Sequence, residues 1–532
     1  MNAEKGCLAI VLHAHLPFVR HPEHDEFLEE DWLFEGITET YLPLLARQEE
    51  LVREGVRYRL TMSLTPPLCE MLADPLLQGR YLRYLDKRID LMKHEVEAKK
   101  NSPFEDAARM YRDILGRSRE LFHDRWGDNI LNGFRELQGT GSLEIMTCAA
   151  THGFLPLMLT PEAVRAQIEI GCRNYEKHFG RRPRGFWLPE CAYAPGLDEQ
   201  LARAGIKFLI VDTHGILLAD PEPVYGVHAP IVCPSGIAAF GRDYESSKQV
   251  WSSEEGYPGE AVYREFYRDL GYDADYAYIK PYLHADGVRR NLGIKYHRVT
   301  GKVELHEKHP YVPSWAREKA SLHADDFVAN RRRQAEWLAG SLGRTPVVLS
   351  PYDAELYGHW WFEGPDFLAD VFRKLHYNQR EVTPVTPAEY IERFRVNQVA
   401  TPAGSSWGDK GYYEVWLNGT NDWIYRHLHA AEERMVALAT KHRDERDDVK
   451  LRALKQMARE LVLAQSSDWA FIMTVGGARP YATRRTNLHL DRFRVIADQI
   501  ESGAPDEGYL SGVEGLDTIF QEIDHRLYAR EA

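Results

Sequence analysis

Two carboxylates in this sequence sit among aromatic residues. Glu190 lies in GFWLPECAY (185–193), beside Phe186, Trp187 and Tyr193. Asp353 lies in SPYDAELYGHWWFEGP (350–365), followed by His359, Trp360 and Trp361. Glutamate is rarely buried unless it is paired, and burying the ionised form is costly unless partners offset it. Two such carboxylates suit glycoside chemistry. One attacks the anomeric carbon, and the other protonates the leaving oxygen and then activates the incoming acceptor. In a retaining enzyme the two groups stand roughly 5–5.5 Å apart. An apolar surround raises the pKa of the acid, as that task requires. Taken singly, each carboxylate could instead cap a helix or pair with an arginine. Trp-rich flanks on both favour a site.

Histidines accompany them. His13 and His15 are two apart in CLAIVLHAH, so on a strand both point to one face. His152 and His359 are placed to join them. Four histidines and an aspartate could hold a metal or bind sugar hydroxyls around the carboxylates. HAH lacks the helical HExxH zinc pattern. Hydroxyl binding is the preferred reading, with no metal and no cofactor. The sequence has no GxGxxG or GxxxxGK[ST] phosphate loop and no GxSxG elbow.

The elements that must position these residues form a series. CLAIVLHAH, YRLTMSLTP, LEIMTCAATHG, GFWLPE, IKFLIVDTHG and PVVLSPYD are short apolar runs ending in polar or ionisable residues: His13 and His15, Thr65, His152, Glu190, Asp212 and His214, and Asp353. Such runs suit parallel strands buried on both faces. Helical patterns such as 161–180 and 196–206 lie between them, which implies βαβ units. In a β/α barrel the chemistry sits at the C-terminal ends of the strands. The charged, helically periodic stretch 86–140 reads as an insertion between residues 1–85 and 141–395 of the barrel. Residues 396–532 read as a helical C-terminal domain, with Leu451, Leu454, Met457, Leu461 and Ala464 on one core stripe.

Composition sets the bounds. The chain has 532 residues, 27% charged, and a formal net charge of -14. That acidity argues against nucleic acid or an anionic membrane as the main partner. Six scattered cysteines without a CxxC pair, and a first apolar run (Cys7–Leu12) too short for a signal segment, point to a reducing cytoplasm. Monomer and dimer both stay open.

Several stretches together form a wider pattern: HAHLPF (13–18), ATHGFLP (150–156), WLPECAY (187–193), PYDAELYGHWWFEGP (351–365) and SSDWAF (466–471). They resemble the five ordered regions of glycoside hydrolase family 57, most closely its 1,4-α-glucan branching enzymes. The resemblance spans nearly the whole chain. It implies a distorted (β/α)7 barrel with an inserted helical domain and a helical C-terminal domain. It further implies that Glu190 is the nucleophile and Asp353 the general acid/base. His13, His15, His152 and His359 would line the donor sugar site. Arg242 and Gly259 would contact glucan from the linking stretch 241–267. Trp251 and Trp407 match stacking tryptophans, and Asp468 would reach in from the C-terminal domain. Tyr225 matches a loop tyrosine that shields the covalent intermediate from water. Trp360 and Trp416 are further candidate platforms for an α-1,4-glucan, while Trp469, next to a helix core, reads as packing.

The expected reaction is double displacement. A glucan 6-hydroxyl as acceptor gives an α-1,6 branch, water gives hydrolysis, and a 4-hydroxyl gives disproportionation. The nearest alternatives are an α-amylase or 4-α-glucanotransferase of the same family. From other classes, a metal-dependent carbohydrate deacetylase or mannosidase-like hydrolase, or a glucan-binding protein without catalysis, stand as rivals.

Overall fold

The computed structural model describes residues 4–252 and 255–531. Its centre is one sheet of nine strands: β1 (Gly6–Ala14), β2 (Leu60–Leu64), β3 (Leu143–Cys148), β4 (Gly185–Trp187), β5 (Phe208–Val211), β6 (Ile231–Val232), β7 (Ala238–Gly241), β8 (Val347–Asp353) and β9 (Val382–Pro384). Their order is β6-β7-β5-β4-β3-β2-β1-β8, with β9 pairing the start of β1. From β7 to β8 this path holds seven strands, all paired in parallel. Only β6 runs antiparallel, at the edge beside β7.

The sheet curls until its two ends meet. Just past β7, the Asp243 amide donates to the Leu349 carbonyl in β8 at 2.8 Å. That bond bridges the seam where a regular barrel would have a ladder, so the barrel is closed but distorted. All nine residues of β1 and all of β3 are buried. This is the burial that continuous apolar runs require of a sheet covered on both faces. The helix Pro161–Phe179 lies so close to β3 that a Cβ at Gly171 would stand 2.1 Å from the Cys148 carbonyl. Only glycine lets the two backbones approach that far.

Between β2 and β3 run the helices Pro75–Ala98, Glu105–Arg119 and Leu131–Gly139. The first starts well before residue 86, because Asp74 accepts from the Leu76 and Leu77 amides and caps it there. A long segment with little regular structure, then the helix Pro313–Leu342, joins β7 to β8. Residues 253 and 254 of that linking stretch lie outside the described residues. From Trp423 onward the chain is helical, and the stripe in Asp448–Ala464 is buried at Leu454, Met457, Leu461 and Ala464, with Leu451 half-buried at its start. No described helix is long and apolar enough to cross a membrane.

Candidate active site

Each of the seven parallel strands delivers a polar group at or just beyond its C-terminal end. These are His13 (β1), Thr65 (β2), His152 (β3), Glu190 (β4), Asp212 (β5), Arg242 (β7) and Asp353 (β8). His13 stands directly opposite Asp353 in the β1–β8 register. Paired residues of neighbouring strands project to the same side, so register alone puts these two together.

The histidines form a stack. The ring centroids of His15 and His152 lie 3.9 Å apart, and those of His13 and His152 lie 5.0 Å apart. Trp187 lies flat on His13 at 4.5 Å. His13 Nε2 and His152 Nε2 share a proton across 3.0 Å. Their outer nitrogens meet Ser63 Oγ at 3.2 Å and Ser467 Oγ at 2.8 Å. His15 bonds Thr65 Oγ1 at 2.9 Å and both Asp468 oxygens, at 3.1 and 3.0 Å. All six ring nitrogens are thus committed to protein partners. His15, His152 and Asp468 lie close enough to hold an ion, but a metal would have to break these bonds.

Glu190 is fixed at both oxygens. Trp407 Nε1 donates to Oε2 at 2.9 Å and Ser467 Oγ donates to Oε1 at 3.0 Å, with His152 Nδ1 3.6 Å from Oε1. Its backbone is left-handed, φ +62°, as are Cys191 and His152 at +50° and +57°. Non-glycine residues in this region carry strain that surrounding structure must hold. Here the Trp407 amide bonds the Glu190 carbonyl at 2.9 Å, and the Ser467 amide bonds the His152 carbonyl at 3.1 Å.

Burial sets the electrostatics. It pushes the Glu190 carboxyl up to about 7 and Asp353 up to about 6; donors and nearby Arg242 and His15 pull each back only in part. Asp353 is solvent-exposed by area yet ringed by protein, as at the floor of a cleft, so water there tempers its shift. Among the described residues nothing bonds its side chain. Burial alone would lower His15, but Asp468, Glu190 and Glu355 outweigh it and raise its pKa. His13 and His152 are held well below the ordinary imidazole value by burial and by their neighbours. Within the stack, His15 is therefore the ring that most readily takes up a proton.

The remaining candidates divide. Arg242 stands 3.8 Å from Asp212 and acts on Asp353. His359 bonds Glu39 Oε2 at 2.8 Å, where Gly358 (φ +121°) lets the chain turn against the Glu39 backbone. Trp360 is exposed and stacked on Phe266 at 4.5 Å, and Trp251 is exposed at the end of the helix Tyr244–Trp251. Gly259 ends an exposed turn. Trp469 is core, its indole bonded to the Leu463 carbonyl.

Two expectations fail. Trp416 is no platform: it is 1% exposed and packs against Phe154 and Gly408. Tyr225 is not at the site. Arg344 covers its ring at 4.8 Å, and Arg344 precedes β8, whose far end carries Asp353. The cation–π contact and a bond from the Val224 amide to Gln398 hold this loop at the wrong end of the strand.

Sequence reasoning missed Ser467, Ser63, Glu355 and Tyr41. Ser467 is the residue before Asp468 in an already singled-out motif. Glu355 lies two past Asp353, so a carboxylate at that spacing was a signal. It accepts from Tyr41 Oη at 2.5 Å and from the His15 amide at 3.2 Å, and burial raises it to about 7.

Comparison with known proteins bears on this geometry. The Glycosyl hydrolase family 57 model matches residues 9–331. The chain belongs to glycosyl hydrolase family 57. Within family 57, a second model described as "1,4-alpha-glucan branching enzyme, C-terminal" matches residues 427–528. A 1,4-alpha-glucan branching enzyme of Thermococcus kodakarensis is 34% identical over 98% of this chain and 78% of its own. Among solved structures, the α-amylase AmyC of Thermotoga maritima superposes with a TM-score of 0.93 at 48% identity, covering 99% of both chains. A family 57 branching enzyme of Pyrococcus horikoshii superposes with a TM-score of 0.89 at 35% identity, covering 99% of this chain and 97% of its own.

Proposed function

We propose that this chain is a 1,4-α-glucan branching enzyme that works by double displacement, with Glu190 as nucleophile and Asp353 as general acid/base. The observation that carries the reading is the pair of burial-raised carboxyls at the ends of β4 and β8, linked through His152, His13 and His15. The mechanism needs one of them protonated and one ionised. Burial raises both toward neutrality, so each can serve in either form there.

Glu190 has the higher value, which would place that proton on Glu190. Its bonding argues otherwise. Both its oxygens accept from fixed donors, and such contacts favour the anion. Asp353 is unbonded and open, free to meet a leaving oxygen. A bound glucan displaces the water around Asp353 and raises it further, so in the complex the proton belongs on Asp353, while Glu190 keeps its raised value in the free protein. Glu190 then attacks the anomeric carbon, Asp353 delivers its proton to the departing chain, and a glycosyl-enzyme forms. Asp353 next deprotonates the incoming hydroxyl, and its attack frees Glu190. A glucan 6-hydroxyl leaves an α-1,6 branch. The branching enzymes among the relatives, and the branching-enzyme C-terminal model that matches residues 427–528, support that acceptor.

One observation favours a second reading, hydrolysis of the same linkage. Tyr225 lies away from the site, so the loop does not screen the intermediate from water. The relative at 48% identity is named an α-amylase. Amylose incubation decides between them, following iodine stain, reducing ends and the α-1,6 anomeric proton, with Glu190→Gln alongside. New α-1,6 signal with few reducing ends means branching. Rising reducing ends without it mean hydrolysis. Unchanged amylose, or equal activity in the variant, would sink the mechanism.

A further inference from the structure

A second cavity, of about 630 Å³, opens between the inserted helix Glu105–Arg119, the segment around Glu39 and the start of Pro313–Leu342. None of Glu190, Asp353, His15 or Asp468 lines it. Its size falls in the range of ligand pockets rather than packing defects.

Its wall holds buried polar groups without partners. Arg88 is 3% exposed and lies over the Tyr84 ring at 3.6 Å, and its buried Nε has no hydrogen-bond partner. A buried donor left without a partner is costly. Arg264 is 4% exposed and lies over Phe362 at 4.6 Å; its Nη2 donates to the His359 carbonyl, but Nε and Nη1 have no partner. Tyr111 is close enough to Arg264 for charge and hydrogen-bond interaction, but the pair is poorly aligned, so the hydroxyl is only weakly engaged. On the same wall Glu363 Oε2 is buried and unpaired, while Oε1 accepts from Tyr311 Oη at 2.8 Å.

The unused groups therefore include donors and an acceptor, set among aromatic faces. Glu39 and Glu363, both lining the cavity, oppose an anion. A neutral polyhydroxyl chain satisfies donors and acceptor alike and lays its apolar ring faces on aromatics. We infer that this cavity is an accessory α-glucan site, in which Arg88, Arg264, Tyr111 and Glu363 bind the hydroxyls of a chain that extends beyond the catalytic cleft. The inference rests on the glucan reading above. The cavity borders the segment that follows Asp353: Glu39 lines it and bonds His359, whose carbonyl receives Arg264.

The test uses the full chain. Crystals of Glu190→Gln soaked in maltoheptaose are expected to hold sugar in the cavity as well as in the cleft. Arg88→Met and Ile114→Trp are then compared with wild type on amylose and on maltotriose. Losing one hydrogen bond from a charged group corresponds to about a tenfold rise in KM. That rise is expected on amylose, with kcat and maltotriose kinetics unchanged. Arg88→Met should also unfold at no lower temperature than wild type without glucan, which a structural arginine would not permit. Sugar in the cleft with the cavity empty, an anion in the cavity in place of sugar, or unaltered KM in both variants would overturn the accessory site alone. Both sites empty, with wild type inert on amylose, would remove the glucan reading and this inference with it.

Discussion

Glu190 holds its charge against its surroundings, and that has a consequence for stability. Its folded pKa, about 7, lies above the ordinary value of 4.5. A raised group contributes stability below the lower value and loses it as pH climbs through the higher one. Glu190→Gln has no such loss. Its melting temperature, relative to wild type, is expected to climb between about pH 4.5 and 7 and then level off; calorimetry across that range checks it. A difference that ignores pH would mean the carboxyl titrates normally. Asp468 makes a second case. It is the main group that outweighs burial at His15. In Asp468→Asn the His15 pKa is expected to fall from its raised value, read by NMR of the imidazole protons. Asp353→Asn removes the proposed acid, and a loss of about 10²–10⁴ in kcat is expected on unactivated glucan.

At the scale of elements, the loop that carries Trp407 matters more than its lack of regular structure suggests. Its indole N–H is one of two donors on Glu190, and its amide holds the strained Glu190 backbone. Trp407→Phe keeps the backbone bond and much of the packing but removes the donor. A hydrogen bond to a charged group is worth about 1.5–3 kcal/mol, so kcat/KM should fall about 10–100-fold. A fall in Tm without that kinetic change would make Trp407 only a packing residue. Strand ends were legible because buried strands read as apolar runs that stop at a polar residue. Loops were not. Tyr225 sits in a turn whose path is decided by Arg344 and Gln398, more than a hundred residues away.

Over the whole molecule, the site is incomplete without the C-terminal helices. Ser467 and Asp468 open the helix Ser467–Val475, yet they bond Glu190, His152 and His15 of the barrel. Barrel and C-terminal region therefore form one catalytic unit. A chain ending after residue 395 is expected to have no activity on amylose, assayed by iodine stain. Adding residues 396–532 as a separate polypeptide restores activity only if the two associate.

The sequence by itself determined the series of buried parallel strands, the two carboxylates, the histidine pair and the motif that carries Asp468. The first three rest on local pattern: apolar runs, a period of two, residue types at fixed spacing; the Asp468 motif rests on the resemblance to family 57. Only the tertiary structure decided which groups meet. The β1–β8 register sets His13 opposite Asp353, and Ser467 reaches Glu190 across 277 positions of chain. It also withdrew Trp416 into the core and Tyr225 to the far end of β8. Residue type and spacing state what a side chain can do; where it does so depends on packing between segments far apart in the chain, which no local pattern encodes.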